Sequence, residues 1–232
     1  MQKHKALFLG LIILVVTGVS VSAGLQTQSQ QPNKPDNEAK ELANAIRRGG
    51  LREAARRKGR FVMQVDPTWD WANFDLEALT KNSTDVVVGE AGASKAQLNR
   101  DGDVLTTQYE IRVLEPIKGN FRQGNTIEVA MLGGFIEFED RTSVEVQTPG
   151  FDRMVKGKKY LLFLTTNKNG SAVLLPTGGP QGIFEINGNE TKYFGRSTDA
   201  VSKEMRDKDS DSLIEKVREY VAKWPNAQGC CR

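Results

Sequence analysis

Apolar and polar residues change their spacing twice along this chain. From Thr84 to about residue 195 the spacing is that of strands. TTQYEIRVLE (Thr106–Glu115) alternates and sets Tyr109, Ile111 and Val113 on one face, and NTIEVAML (Asn125–Leu132) alternates again. TDVVVGE (Thr84–Glu90) and KYLLFLTTN (Lys159–Asn167) are short apolar runs, the latter with the look of a buried strand. FIEFED, SVEVQ, SAVLL, GIFEI and TKYFG complete the series, with hairpin signals at Asn169-Gly170 and Asn187-Gly188-Asn189. Strands closed by Gly and Asn turns, with no long helix between them, predict a mainly β domain, a closed antiparallel barrel or a sandwich.

Helical spacing frames this region. Leu213, Ile214, Val217, Tyr220, Val221 and Trp224 form one apolar stripe over residues 210–224, and Pro225 follows. Ser212 and Glu215 read as its capping box. This C-terminal amphipathic helix is expected to pack on the β domain. Ahead of the strands, residues 61–83 contain Trp69 and Trp71, and Phe74, Leu76 and Leu79 predict a short helix. The two tryptophans suit core or lid positions and are the aromatic candidates for ligand contact. Residues 38–60 read as a broken helix, anchored by Leu42, Ile46 and Leu51 and interrupted at Gly49-Gly50. Arg48, Arg52, Arg56 and Arg60 recur every four residues and would make one stripe on a continuous helix. Residues 47–60 carry seven positive side chains and one negative, Glu53. They are either a solvated face or a basic arm for an anionic surface such as lipid headgroups or an envelope polymer.

The N-terminus adds a compartment. Lys3 and Lys5 precede an unbroken apolar run, Ala6–Val16, and Val21-Ser22-Ala23 fits a small-residue cleavage rule. Residues 1–23 therefore read as a signal peptide cut after Ala23, which leaves an exported, periplasmic or extracellular chain with no transmembrane helix. Thr17 and Ser20 interrupt the run before the roughly 20 apolar residues of a membrane anchor are reached. Residues 24–37, GLQTQSQQPNKPDN, read as a flexible tether leading into the basic pre-region. The net charge of +3 falls to +1 once the two signal lysines are gone, so bulk charge does not advertise a nucleic-acid partner. The two cysteines, Cys230 and Cys231, are adjacent in the tail 225–232. They can cross-link two chains or stay in a mobile tail, but no distant cysteine exists for a core disulfide.

GNFRQGNT (Gly119–Thr126) comes within one residue of a phosphate-binding loop, with Asn125 where lysine belongs. The segment after it alternates as a strand, so no helix N-terminus backs the loop. The glycines are read as turn residues and no nucleotide is expected. DVVVGE, VLEPIKGNFRQGNTIEV, GKKYLLFL and GGPQGIFEI together resemble a recurring unit of exported bacterial proteins. More distantly they are similar to the OB-like barrel of the tissue inhibitors of metalloproteinases and the netrin-type modules. The resemblance covers about residues 84–187 and implies an OB-like closed antiparallel barrel over residues 84–195. Those inhibitors chelate zinc through a disulfide-bonded cysteine at the mature N-terminus. This chain has no cysteine before Cys230, so the inhibitory chemistry does not carry over.

Candidate chemistry is sparse. The sole histidine, His4, leaves with the signal, which excludes Ser-His-Asp and Cys-His arrangements and imidazole zinc sites in the mature chain. Glu137, Glu139 and Asp140 form an acidic cluster in which Glu137 and Glu139 share a strand face, the basis of a carboxylate-dependent hydrolase reading. Asp207, Asp209 and Asp211 suggest the start of a calcium loop, but Ser212 and Arg218 stand where it needs Gly and Glu. No cofactor or metal site is expected. The sequence thus favours an exported non-catalytic module that binds a protein or envelope polymer. The alternatives are the Glu137/Glu139 hydrolase and attachment through the basic arm 47–60.

Overall fold

A computed structural model describes residues 34–65, 73–148, 152–166, 172–205 and 208–224. The expected signal peptide, Trp69, Trp71, the Asn169-Gly170 turn, Asp207 and Cys230-Cys231 lie outside the described residues. The chain is mainly β. In order, α1 (Lys34–Lys58), β1 (Arg60–Gln64) and α2 (Leu76–Asn82) lead into β2 (Asp85–Leu98) and β3 (Leu105–Lys118). Next come β4 (Thr126–Leu132), β5 (Gly134–Glu137), β6 (Ser143–Gln147), β7 (Lys159–Thr166) and β8 (Leu174–Pro176). β9 (Ile183–Asn187), β10 (Glu190–Tyr193), α3 (Ala200–Glu204) and α4 (Ser210–Lys223) finish the chain.

Seven strands pair in the order β10-β9-β7-β2-β3-β4-β8, antiparallel except for one parallel bridge, Val129 of β4 with Leu174 of β8. β8 pairs again, antiparallel, with β7. β1, β6 and β5 make a second, small sheet in which β1 runs parallel to β6. The sequence reading missed β1. Its alternation spans only five residues, RFVMQ, directly behind an arginine-rich helix.

β2 and β7 serve two cores. Val87, Ala91, Tyr160, Leu162 and Leu164 join Tyr109, Ile111, Val129 and Ile183 on one side. Val86, Val88, Leu161 and Phe163 point the other way, where Leu76 and Leu79 of α2 and Leu213 and Val217 of α4 close over them. Successive strand residues face opposite sides, so a strand buried on both reads as an unbroken apolar run. α4 packs on the β domain as expected, but its cap differs. Asp209, not Ser212, is the N-cap, its side chain accepting from the Ser212 amide at 2.7 Å. That contact draws the Asp209 carboxyl below its ordinary value, in keeping with an anion at a helix start.

A third core fixes α1. Leu42, Leu51, Ala54 and Ala55 pack on Phe61 and Met63 of β1, Val144 and Val146 of β6, and Leu105 of β3. Residues 38–58, read from the sequence as a broken helix in the basic pre-region, form a helix docked on both sheets. Its break falls at Gly49-Gly50, which leave helical geometry. Gly50 has φ 70, and a Cβ there would meet the Gly102 carbonyl oxygen at 2.5 Å. The Leu51 amide donates to that same oxygen at 2.7 Å, tying the kink to the β2–β3 turn.

GNFRQGNT is the turn between antiparallel β3 and β4. Lys118, just before it, donates through Nζ to the carbonyls of Thr80 (2.8 Å) and Ser83 (2.7 Å) at the end of α2. Gly119 follows with φ 96, where a Cβ would sit 1.9 Å from Asp85 Oδ1. The Lys-Gly pair thus locks the hairpin to the helix.

Gly50→Ala is expected to cost about 1–3 kcal/mol in chemical denaturation, from its positive φ and the carbonyl behind it. Gly59→Ala shares a positive φ (73) but has nothing within 4 Å of its Cβ, so its loss should be smaller, about 1 kcal/mol.

Candidate functional site

The β4–β5 junction borders a concavity between the two sheets. Gly133 and Gly134 carry the chain from the large sheet to the small one with φ 92 and 136. A Cβ on Gly134 would fall 2.1 Å from Thr107 Oγ1, and one on Gly133 would fall 2.7 Å from the Val146 carbonyl oxygen. Thr107 Oγ1 donates to the Gly133 carbonyl at 2.8 Å. The two sheets approach this closely only because both positions lack a side chain. Beside the junction lies a cleft of about 510 Å³, lined by Thr107, Tyr109 and Met131 of the large sheet, Gln64, Glu145 and Gln147 of the small one, and Thr148, Asp152 and Arg153. That volume lies within the range of small-molecule and peptide side-chain pockets.

Tyr109 lines the cleft, and the fully buried Tyr160 shares its core. The Tyr160 hydroxyl accepts from the Val155 amide at 2.8 Å, and Tyr109 is bonded to the Met154 backbone. Burial pushes both phenols above their ordinary range. They hold the segment at Met154 and Val155, next to Asp152 and Arg153, which line the cleft.

The charges in the cleft are paired. Glu145 meets Arg60 at 3.0 Å and Arg153 at 3.3 Å, and Gln147 Nε2 donates to it at 3.2 Å. Burial alone would push the Glu145 carboxyl up. The Arg60 and Gln147 hydrogen bonds and the two guanidinium charges outweigh it and hold the group below its ordinary value. Asp152 pairs with Lys192 at 2.6 Å. Gln64 and Gln147, aligned in the β1–β6 register, add exposed amides. Thr148 Oγ1 is buried and finds no hydrogen-bond partner among the described residues.

The sequence candidates fall elsewhere. Glu137 and Glu139 are exposed at the β5–β6 hairpin and do not line this cleft. Asp140 accepts from the Thr142 hydroxyl (2.6 Å) and amide, which lowers its pKa, and Arg56 reaches it at 3.5 Å. Arg52 lies 4.9 Å from the centroid of the Phe138 ring. Two separate candidates, the acidic cluster and the basic arm, are thus neighbours: Arg52 and Arg56 dock onto the hairpin that carries the carboxylates. The Gly49-Gly50 kink separates Arg48, which is exposed, from that pair, and Arg60 leaves the helix for β1. The stripe that a continuous helix would give is not formed. Among the described residues no group of three or more His, Cys, Asp or Glu side chains is placed to hold a metal ion, and no helix is long and apolar enough to cross a membrane.

The cleft residues escaped the sequence reading because Gln64, Thr107, Glu145 and Gln147 are ordinary strand polar residues and the other polar ones, Thr148, Asp152 and Arg153, come from loops. Two signals existed. SVEVQ puts Glu145 and Gln147 on one face, and Gly133-Gly134 between two strands marks a close backbone crossing.

No family model matches the chain, and no curated protein is significantly similar to it.

Glu145→Gln should lower stability at neutral pH by roughly 0.5–1 kcal/mol, the scale of partly exposed ion pairs. The folded-state pKa of Glu145 is depressed, so its contribution is full above the unfolded value and is lost as pH falls through the folded one. Denaturation curves of the two proteins should therefore converge as the pH is taken below about 4.

Proposed function

We propose that this chain is an exported, non-catalytic binding module that recognises its ligand in the cleft beside Gly133-Gly134. The strand pairings support reading the domain as an OB-like barrel. β2-β3-β4-β8-β7 form a ring when both pairings of β8 are followed, with β4 and β8 parallel. OB-type barrels bind on the face of their second and third strands. In that reading these are β3 and β4, which supply Thr107, Tyr109 and Met131 to the cleft.

The observation that carries the proposal is the chemistry of the lining. Amides and hydroxyls face a cavity whose carboxylates, Glu145 and Asp152, are already committed to Arg60, Arg153 and Lys192. Such a surface is suited to a polar, largely uncharged ligand, such as the backbone of an extended peptide or the hydroxyls of an envelope polymer. It offers no unpaired acid and base for hydrolysis. The Glu137/Glu139 reading needs those carboxylates to line a pocket, and they face outward at a hairpin. Export rests on residues 1–23 and their signal-peptide pattern.

Residues 24–232, immobilised and exposed to envelope extract, should retain a specific protein or polymer. Gln147→Arg, which places bulk and charge at an exposed cleft position, should reduce that retention at least about tenfold with an unchanged circular dichroism spectrum. Retention that survives Gln147→Arg but is lost with Glu137→Gln/Glu139→Gln would move the site to the hairpin.

A further inference from the structure

β1 presents an open edge. Among the described residues it pairs with β6 alone, through Phe61, Met63 and Val65, whose backbone groups point toward that strand. In such a parallel ladder the intervening residues, Arg60, Val62 and Gln64, aim their N–H and C=O groups the opposite way. Among the described residues none of these groups has a backbone partner. Natural edges are blunted by lysine, proline, bulges or a covering element. Among the described residues no strand covers Arg60–Gln64, which carries no lysine, proline or bulge; its one charged residue, Arg60, is drawn to Glu145 of β6 at 3.0 Å, and its middle residue, Val62, is 45% exposed.

We propose that the occupant of this edge is β1 of a second copy of the chain, paired antiparallel about a two-fold axis at Val62. The sequence of the edge is self-complementary in that register. Val62 faces Val62, and each Arg60 faces the amide of Gln64, so no like charges oppose each other across the seam. All three outward-pointing residues fall in hydrogen-bonded pairs, which gives about six backbone hydrogen bonds. Neighbouring registers aligned on Arg60 would set guanidinium against guanidinium. The buried residues follow the same symmetry: Phe61 of one copy stands opposite Met63 of the other, so the two α1-covered cores become continuous. The product is one six-stranded sheet, β5-β6-β1-β1-β6-β5, with the isologous contact expected of a two-fold dimer.

The pairing also completes the cleft. Gln64 lines it, and the residue set beside Gln64 is Arg60 of the second copy. Each cleft would therefore gain a further guanidinium, on the Gln64 side, beside the Arg153 that already lines it. The contact is short, so a weak, concentration-dependent dimer is expected. This inference stands on the edge geometry and does not require the ligand reading above.

The test uses residues 24–232 with Cys230→Ser and Cys231→Ser, so that tail disulfides play no part. Sedimentation velocity over a wide concentration series should show reversible dimerisation. Val62→Cys should cross-link two chains on mild oxidation, since facing residues of a hydrogen-bonded pair lie about 5.5 Å apart at Cα, within disulfide reach. Val155→Cys, exposed elsewhere, should not. Val62→Pro and Val62→Lys block an outward edge without touching the β6 pairing, and each should weaken dimerisation at least about tenfold with the fold intact. A chain that stays monomeric throughout and gives no cross-link through Val62→Cys would overturn the proposal and leave the edge to an extended segment of another protein. A dimer unaffected by Val62→Pro and Val62→Lys would overturn it equally.

Discussion

β7 and the first half of β2, Asp85–Ala91, are buried on both faces, and the rest of the molecule is arranged around that constraint. A doubly buried pair needs a cover on each side. On one side the cover is the rest of the large sheet, through Tyr109, Ile111, Val129 and Ile183. On the other it is helical, from α2 and α4. The Lys118–Gly119 clamp follows from the same need, since α2 must be held at the end of the β3–β4 hairpin to keep Leu76 and Leu79 over Val86 and Val88. Helix carbonyls that would otherwise end unsatisfied are used for that purpose.

Much of this was legible in the sequence, and for a common reason. Alternation in TTQYEIRVLE, the dense run YLLFL and the apolar stripe of the last helix each report burial directly, and burial dominates the pattern of apolar residues. What escaped was set by contacts between distant segments. β1 is a strand because Phe61 and Met63 fit against β6 and α1, and five residues of alternation beside seven positive charges do not announce it. Asp209 takes the cap because its side chain reaches the Ser212 amide, whereas local spacing alone favoured Ser212.

The candidate site shows the same division. Charge clusters are conspicuous in a sequence, and they drew attention to Arg48, Arg52, Arg56, Glu137, Glu139 and Asp140. In the folded chain Arg56 and Asp140 pair, and Arg52 stacks on the same hairpin, so part of that conspicuous charge is spent on docking α1. The cleft is instead assembled from Gln64, Thr107, Glu145, Gln147 and Thr148, whose positions are fixed by Gly133-Gly134 and by the docking of the small sheet. A site made by the junction of two sheets has no contiguous signature. Its nearest trace is the glycine pair that permits the junction.

The cleft therefore depends on α1 and the small sheet being integral to the folded domain rather than appended to it. Hydrogen exchange across residues 38–65, compared with β6, tests this most directly. Docking through Leu42, Leu51, Ala54 and Ala55 predicts that amides following the Gly49-Gly50 kink are protected together with those of β6, in one cooperative unit. Exchange of residues 38–58 at the rate of an unstructured chain, with β6 still protected, would contradict it. α1 would then be a free basic arm, and the cleft wall would lack its support.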